Sequence, residues 1–148
     1  LTTCRSVVCA SPAYLKEHGK PLRVDELAQR NCLTHSYFGH SLWNFTRKSD
    51  GEPLSVAVNG NVSANDAASL MCLARAGAGI AMLPTYLTTA LVQSGELVPL
   101  FDDCEPQVVG MYAVYTSRKH MPATLRTMLD FLAGRFTEVP SWDLPLPR

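Results

Sequence analysis

The segment from Ala67 to Leu91 limits what this chain can fold into more than any other. Ala67, Leu70, Met71 and Ala74 recur at the i, i+3, i+4, i+7 spacing that places apolar side chains on one helical face. Gly77 and Gly79 end that pattern, and Ile80-Ala-Met-Leu-Pro84 follows as a short apolar strand stopped by proline. Tyr86, Leu87, Ala90 and Leu91 open a second helix that runs towards Gly95. A buried strand between two amphipathic helices calls for a sheet with helices packed on it. Ser63-x-x-Asp66 has the form of a capping box, which puts the predicted helix start at Ser63, with the Asp66 carboxylate favoured by the positive helix end.

Elsewhere strands and helices alternate. Arg5 to Ala10 reads as a strand. Ser11 is placed to cap, Pro12 suits a first helical position and Gly19 suits an exit, so a short helix is expected between them. A further short helix is expected over Val24 to Arg30, then strands over Cys32 to Tyr37 and Leu42 to Phe45, with turn chemistry from Lys48 to Pro53. Leu54, Val56 and Val58 alternate with Ser55, Ala57 and Asn59, the period of a strand with unlike faces, predicted to reach Val62. Val108 to Tyr115 is almost continuously apolar, which predicts a strand covered on both faces. After Pro122, Leu125, Met128, Leu129, Leu132 and Phe136 share one helical stripe, with Arg118, Lys119, Arg126 and Arg135 around it. Three prolines between Pro140 and Arg148 predict an extended or mobile tail. The alternation implies an α/β fold whose parallel strands are shielded by helices on both sides.

Of the 148 residues 47% are hydrophobic, enough to bury one core without covalent staples. The 13 Lys and Arg balance 13 Asp and Glu, so no broad cationic field points to nucleic acid or anionic lipid as a direct partner. No apolar run approaches the ~18 residues of a membrane span, and no basic-then-apolar leader opens the sequence. Cys4, Cys9, Cys32, Cys72 and Cys104 are odd in number and form no CxxC pair. Reduced, mostly buried thiols are expected, with no zinc site and no disulfide framework, and this indicates the cytoplasm. Leu1 is not a methionine and a β-rich run begins almost at once, so the chain reads as part of something longer. Nucleophile elbow, Walker loop, dinucleotide fingerprint and HExxH are all missing. Gly77-Ala-Gly79 stands at a helix exit, the reverse of the dinucleotide order, and serves a tight reversal. No catalytic residue, metal or cofactor is expected.

In open α/β sheets ligands sit beyond the carboxyl ends of strands, where helix N-termini also point. Ser63, Ala64, Asn65 and Asp66 occupy such a place, and free backbone N–H groups there would suit a carboxylate or similar anion. Asp66 weakens that reading, because its own carboxylate can take the same donors and leave only a well-capped helix. His35, Ser36 and Tyr37 follow a strand and form either a second lip with donors and an aromatic face or an ordinary packed loop. Trp43 and Phe45, two apart, are expected on one side of a strand as a structural pair. His18, His40 and His120 are expected on the surface.

Several segments resemble the C-terminal effector-binding domain of LysR-type transcriptional regulators. They are Ala10-Ser-Pro-Ala-Tyr-Leu15, Leu22 to Leu33 ending Asn-Cys-Leu, Leu42-Trp-Asn-Phe45, Gly60-Asn-Val-Ser-Ala-Asn-Asp66, Ala76-Gly-Ala-Gly-Ile-Ala-Met-Leu-Pro-Thr-Tyr-Leu87, Ser94-Gly-Glu-Leu-Val98, and Tyr112-Ala-Val-Tyr115 leading to Leu125 to Leu132. The resemblance implies a type 2 periplasmic-binding-protein-like fold, a mixed sheet flanked by helices. Over residues 1–139 it implies a partial effector-binding domain: about 9–107 as the second subdomain, 108–136 as a crossover strand and terminal helix of the first, and 140–148 as a flexible tail. It further implies a small effector, for example an organic or aromatic acid, in an inter-subdomain cleft near Ser63 to Asp66 and His35 to Tyr37, with Ser11 either facing that cleft or simply capping. Assembly as a homodimer or tetramer is implied, with DNA contacted only through an absent N-terminal winged helix-turn-helix. A periplasmic-type solute-binding protein shares the fold logic and is the rival reading.

Overall fold

The structure, a computed structural model, describes residues 1–37, 41–117, 121–136 and 139–143. In chain order its elements are β1 (Thr2–Cys4), β2 (Ser6–Ala10), α1 (Pro12–His18), a 3-10 helix (Val24–Gln29), β3 (Cys32–His35), β4 (Leu42–Arg47), β5 (Pro53–Ala57), β6 (Ser63–Ala64), α2 (Ala67–Arg75), β7 (Ile80–Pro84), α3 (Thr85–Gln93), β8 (Val98–Pro99), β9 (Cys104–Pro106), β10 (Val109–Met111) and α4 (Ala123–Arg135). They fall into two compact units, Arg5–Gln107 and Leu1–Cys4 with Val108–Arg148.

The larger unit is built on a five-stranded sheet of order β6-β3-β7-β2-β8 and carries a second, three-stranded sheet of order β5-β4-β9. β3 runs parallel to both β6 and β7, whereas β2 is antiparallel to β7 and β8. The large sheet is therefore mixed, not wholly parallel. Its strand residues alternate between two apolar layers, as a pleat of period two requires. Val8, Ala10, Cys32 and Ile80 face Tyr14 of α1, Leu27 of the 3-10 helix, and Trp43, Phe45 and Val56 of the small sheet. Cys9, Leu33, Ala81 and Leu83 face Leu70 and Ala74 of α2 and Leu91 and Val92 of α3. Trp43 and Phe45 are both buried on one side of β4, in the structural role expected of them. Each fully buried Leu or Ile in these layers contributes roughly 1.5–3 kcal/mol. Phe101, in left-handed backbone at φ 63°, turns the chain from Leu100 towards β9. Its ring meets Phe45 edge to face at 6.5 Å.

Capping explains where several helices begin and end. The Ser11 hydroxyl accepts the Tyr14 N–H at 3.2 Å, with Pro12 in the first turn of α1. At the end of α2, Ala78 N–H donates to the Leu73 carbonyl and Gly77 N–H to that of Ala74. This is the six-to-one and five-to-two pair of a Schellman motif, with Gly77 at φ 83° supplying the left-handed residue.

Four expectations are corrected. Ser63 does not cap α2: it lies in β6, and the N-cap is Asp66. The strand expected to reach Val62 stops at Ala57, because Asn59 leaves the small sheet to bridge Asn31. The strand expected to reach Tyr37 ends at His35. In the smaller unit, Val108 to Tyr115 is not covered on both faces. Only Val109–Met111 pair, antiparallel with Thr2–Cys4, and beyond them Tyr112 and Val114 are 79% and 93% exposed. A strand is buried on both faces only where a layer packs above and below it, which the exposure of Tyr112 and Val114 excludes here, and along its edges β10 pairs with β1 alone among the described residues. The stripe of α4 is likewise only half covered, with Met128 exposed.

Two glycine substitutions separate packing from intrinsic helix preference. A Cβ on Gly60 would lie 1.9 Å from the Cys32 carbonyl oxygen, while one on Gly134 in α4 meets nothing. Gly60→Ala is expected to lower unfolding free energy by roughly 2–3 kcal/mol in denaturant titration. Gly134→Ala is expected to raise it by about 0.5 kcal/mol.

Candidate functional site

Parallel pairing decides which residues share an end of the large sheet. Thr34 sits opposite Ser63 and His35 opposite Ala64, and the ladder continues as Thr34 N–H to the Val62 carbonyl and Ser36 N–H to that of Ala64, at 3.1 and 2.8 Å. Both strands therefore finish side by side. His35, Ser36 and Tyr37 form one lip at their carboxyl ends, and Ser63, Ala64, Asn65 and Asp66 form the other. The two segments expected as a site are brought together. Tyr37 presents a 77% exposed ring, tilted against His35 at 6.2 Å between centroids.

The start of α2 is not an empty anion cradle. Asp66 Oδ2 accepts the Ser69 N–H at 2.9 Å and the Ser69 hydroxyl at 2.8 Å. These bonds, the hydroxyl foremost, hold the Asp66 carboxyl below its usual range, with smaller help from the Ala68 N–H and the nearby His35. A fixed carboxylate thus already complements the positive helix end. What remains on the rim is a set of neutral polar groups, Ser36, Ser63 and Asn65, beside an imidazole and a phenol.

Ser11 does not join this rim. β2 is antiparallel to β7, so its carboxyl end lies at the other end of the sheet, and the Ser11 hydroxyl is buried, occupied with Tyr14 and close to Gly77 beyond the far end of α2. The register also contributes residues that no local pattern indicates. Ser6 pairs with Pro84, and Thr85 N–H donates to the Arg5 carbonyl at 3.0 Å. Arg5 and the start of α3 therefore share the rim's end of the sheet, with Arg5 two strands from β3, about 10 Å at ordinary strand spacing. Its guanidinium lies 3.7 Å from Glu105. Only long-range pairing reveals this, since locally Arg5 reads just as the opening residue of a strand.

All five cysteines are free. Burial pushes the Cys9 and Cys32 thiols up to about 12, and burial raises Cys4 and Cys104 as well, helped by Asp143 and Asp103. Reactive cysteines are shifted the other way. Among the described residues no group of three His, Cys, Asp or Glu could hold a metal, and no helix is long and apolar enough to cross a membrane. His18 is exposed and stacks on Tyr14, while His40 and His120 lie outside the described residues.

Comparison with known proteins bears on this geometry. Residues 1–137 match the family described as LysR substrate binding domain. "Probable HTH-type transcriptional regulator LtrA" of Klebsiella pneumoniae is 28% identical over 137 residues, 90% of this chain and 44% of the relative. CrgA of Neisseria meningitidis serogroup C, an HTH-type transcriptional regulator, is 32% identical over 126 residues, 84% of this chain and 42% of the relative. Among solved structures, full-length AphB, a Vibrio cholerae virulence activator, superposes with a TM-score of 0.77 at 26% identity, covering 89% of this chain and 45% of that one. The regulatory domain of CrgA from Neisseria meningitidis gives 0.65 at 31% identity, covering 89% and 65%. The chain thus spans less than half the length of the curated relatives it matches.

The capping of α2 predicts a pH signature. A carboxyl held low in the folded state stabilises it above the unfolded value, and that contribution is lost as pH falls through the lowered folded value. Asn is also a good N-cap, so Asp66→Asn removes the charge and keeps the cap. The melting temperatures of the parent and this variant are expected to differ at neutral pH and to converge as acid protonates Asp66.

Proposed function

Because this chain belongs to the LysR substrate binding domain family, we propose that it is the ligand-sensing part of a LysR-type transcriptional regulator, with its effector contacts on the rim formed by His35 to Tyr37 and Ser63 to Asp66. The register that ends β3 and β6 side by side carries this reading. It gathers hydroxyl, amide, imidazole and phenol groups at the carboxyl ends of parallel strands, where open α/β sheets bind ligands. The effector is a small organic molecule whose polar groups meet Ser36, Ser63 and Asn65 and whose body lies against Tyr37. Asp66 tells against a bare inorganic anion at the helix start.

The division at Arg5–Gln107 supports reading about 9–107 as the second subdomain of such a sensor and 108–136 as elements returned to the first. In an intact regulator the effector acts by binding one arrangement of the sensing domain better than another. DNA contact belongs to a winged helix-turn-helix elsewhere in that regulator, working as a homodimer or tetramer. Five free thiols suit the cytoplasm. The relatives named above are transcriptional regulators, which favours sensing over catalysis and over the rival solute-binding reading.

A thermal-shift screen of small organic acids and amides against this chain and against an intact regulator containing it tests the proposal. For a molecule that raises the melting temperature, Asn65→Leu is expected to weaken calorimetric affinity about tenfold, the effect of removing one or two hydrogen bonds, while operator binding by the intact regulator is retained. Unchanged affinity takes the start of α2 out of the site. The isolated chain is also expected to scatter light as a homodimer, since among the described residues β10 pairs along one edge with β1 and a strand of that apolar run left with an open edge recruits a partner. A monomeric mass contradicts that expectation.

A further inference from the structure

The His35 ring is bonded in a way that a single proton would undo. The Tyr37 N–H points at Nδ1 of His35, 3.2 Å away. A backbone amide can only donate, so Nδ1 is an acceptor and the proton of the neutral ring sits on Nε2. One residue earlier, Ser36 N–H makes the last rung of the ladder to β6. Tyr37 lies one step past that rung, and its bond to His35 carries order from the sheet into the lip.

Imidazolium bears hydrogen on both nitrogens. A protonated Nδ1 would meet the Tyr37 N–H donor to donor, and attraction becomes repulsion. An acceptor stands close by. His35 faces the same side of β3 as Leu33, which packs on α2, and its partner across the ladder, Ala64, stands two residues before Asp66 at the start of α2. The neighbouring strands β6 and β7 carry no ionisable side chain, and on α2 the other ionisable groups, Cys72 and Arg75, lie more than a turn further on. Tyr37 supplies a phenol from the lip itself. Asp66 is thus a carboxylate placed to receive the His35 ring.

We propose that His35 is a proton-operated latch on this rim: neutral, it holds the Tyr37 amide and with it the lip; protonated, it lets that amide go and turns to the Asp66 carboxylate. Acidification thus loosens one wall of the rim. Its meaning for sensing rests on the effector site proposed above, but the latch itself does not, and it is tested with no small molecule present.

The test is nitrogen-15 NMR of the unliganded chain between about pH 8 and pH 5, the span in which histidine changes charge, with the His35 ring carbons followed in the same samples. As the ring gains its proton, the Tyr37 amide resonance is expected to move. Its protection against exchange, corrected for the intrinsic rate, is expected to fall about fivefold, the change that loss of one ordinary hydrogen bond brings. His35→Asn keeps a side-chain acceptor able to take an amide two residues on but cannot titrate, so Tyr37 protection should stay high and flat. His35→Phe should leave it low throughout. A ring that keeps one charge state across the span, a Tyr37 amide indifferent to the ring's proton, or a transition that survives in His35→Asn overturns the latch. Asn65→Leu, which tests the effector site, leaves this titration in place, so either reading can fail alone.

Discussion

The Asn31 side chain is the fastening on which the larger unit depends. Its Oδ1 accepts the Asn61 N–H at 3.0 Å, and its Nδ2 donates to the Ala78 carbonyl at 2.7 Å and to Asn61 Oδ1 at 2.9 Å. Its own carbonyl receives the Ile80 N–H, and the next amide, that of Cys32, donates to Asn59. One residue thus ties the entry of β3 to the chain entering β6 on one side and β7 on the other. The approach is so close that only glycine fits at two points: a Cβ on Gly60 or Gly79 would fall within 1.9 or 2.6 Å of the Cys32 or Asn31 carbonyl oxygen. Parallel strands cannot be joined by a tight hairpin and must find each other across long connections. A polar clasp at the strand entries supplies the register that a hairpin turn would otherwise set.

From that register the chemistry of the opposite end follows. Once Cys32 is opposite Ile80 and Thr34 opposite Ser63, the carboxyl ends of β3, β6 and β7 share one edge. The starts of α2 and α3 follow β6 and β7 to the same place. Asp66 neutralises the helix end that would otherwise attract an anion, which leaves, among the described residues, a rim of neutral hydrogen-bonding groups with the His35 imidazole and the exposed Tyr37 phenol. That composition suits selective, reversible recognition of a polar organic molecule. Burial has raised the Cys4, Cys9, Cys32 and Cys104 thiols, the opposite of the shift that makes a cysteine reactive.

The smaller unit shows the same physics with fewer partners. β10 takes three residues from an eight-residue apolar run because β1 offers three to pair with. Nothing in the composition of Val108 to Tyr115 distinguishes a strand with two neighbours from one with a single neighbour. The helix stripe of α4 was legible in the same partial sense: Leu125, Leu129 and Leu132 are half-buried, while Met128 of that stripe is exposed. The capping of α1 by Ser11 and its exit at Gly19 were legible in full, because caps are settled within one turn of backbone. The start of α2 was misplaced by three residues for a related reason. Ser63 and Asp66 are both good N-caps by local chemistry, and Ser63 is claimed by pairing with Thr34.

The sequence by itself determined the periods, the caps at α1, the buried aromatic pair at Trp43 and Phe45, the glycine reversal at Gly77 and the family, since each of these is written in residues a few positions apart or in their order along the chain. Only the tertiary structure decided which strands of the mixed sheet run antiparallel, that Ser11 lies at the far end from the rim, that Arg5 shares the rim's end, and that the His35 ring accepts the Tyr37 amide. These depend on strand direction and register, which are set by contacts between residues far apart in the chain, and short-range preference carries no information about which distant partner wins.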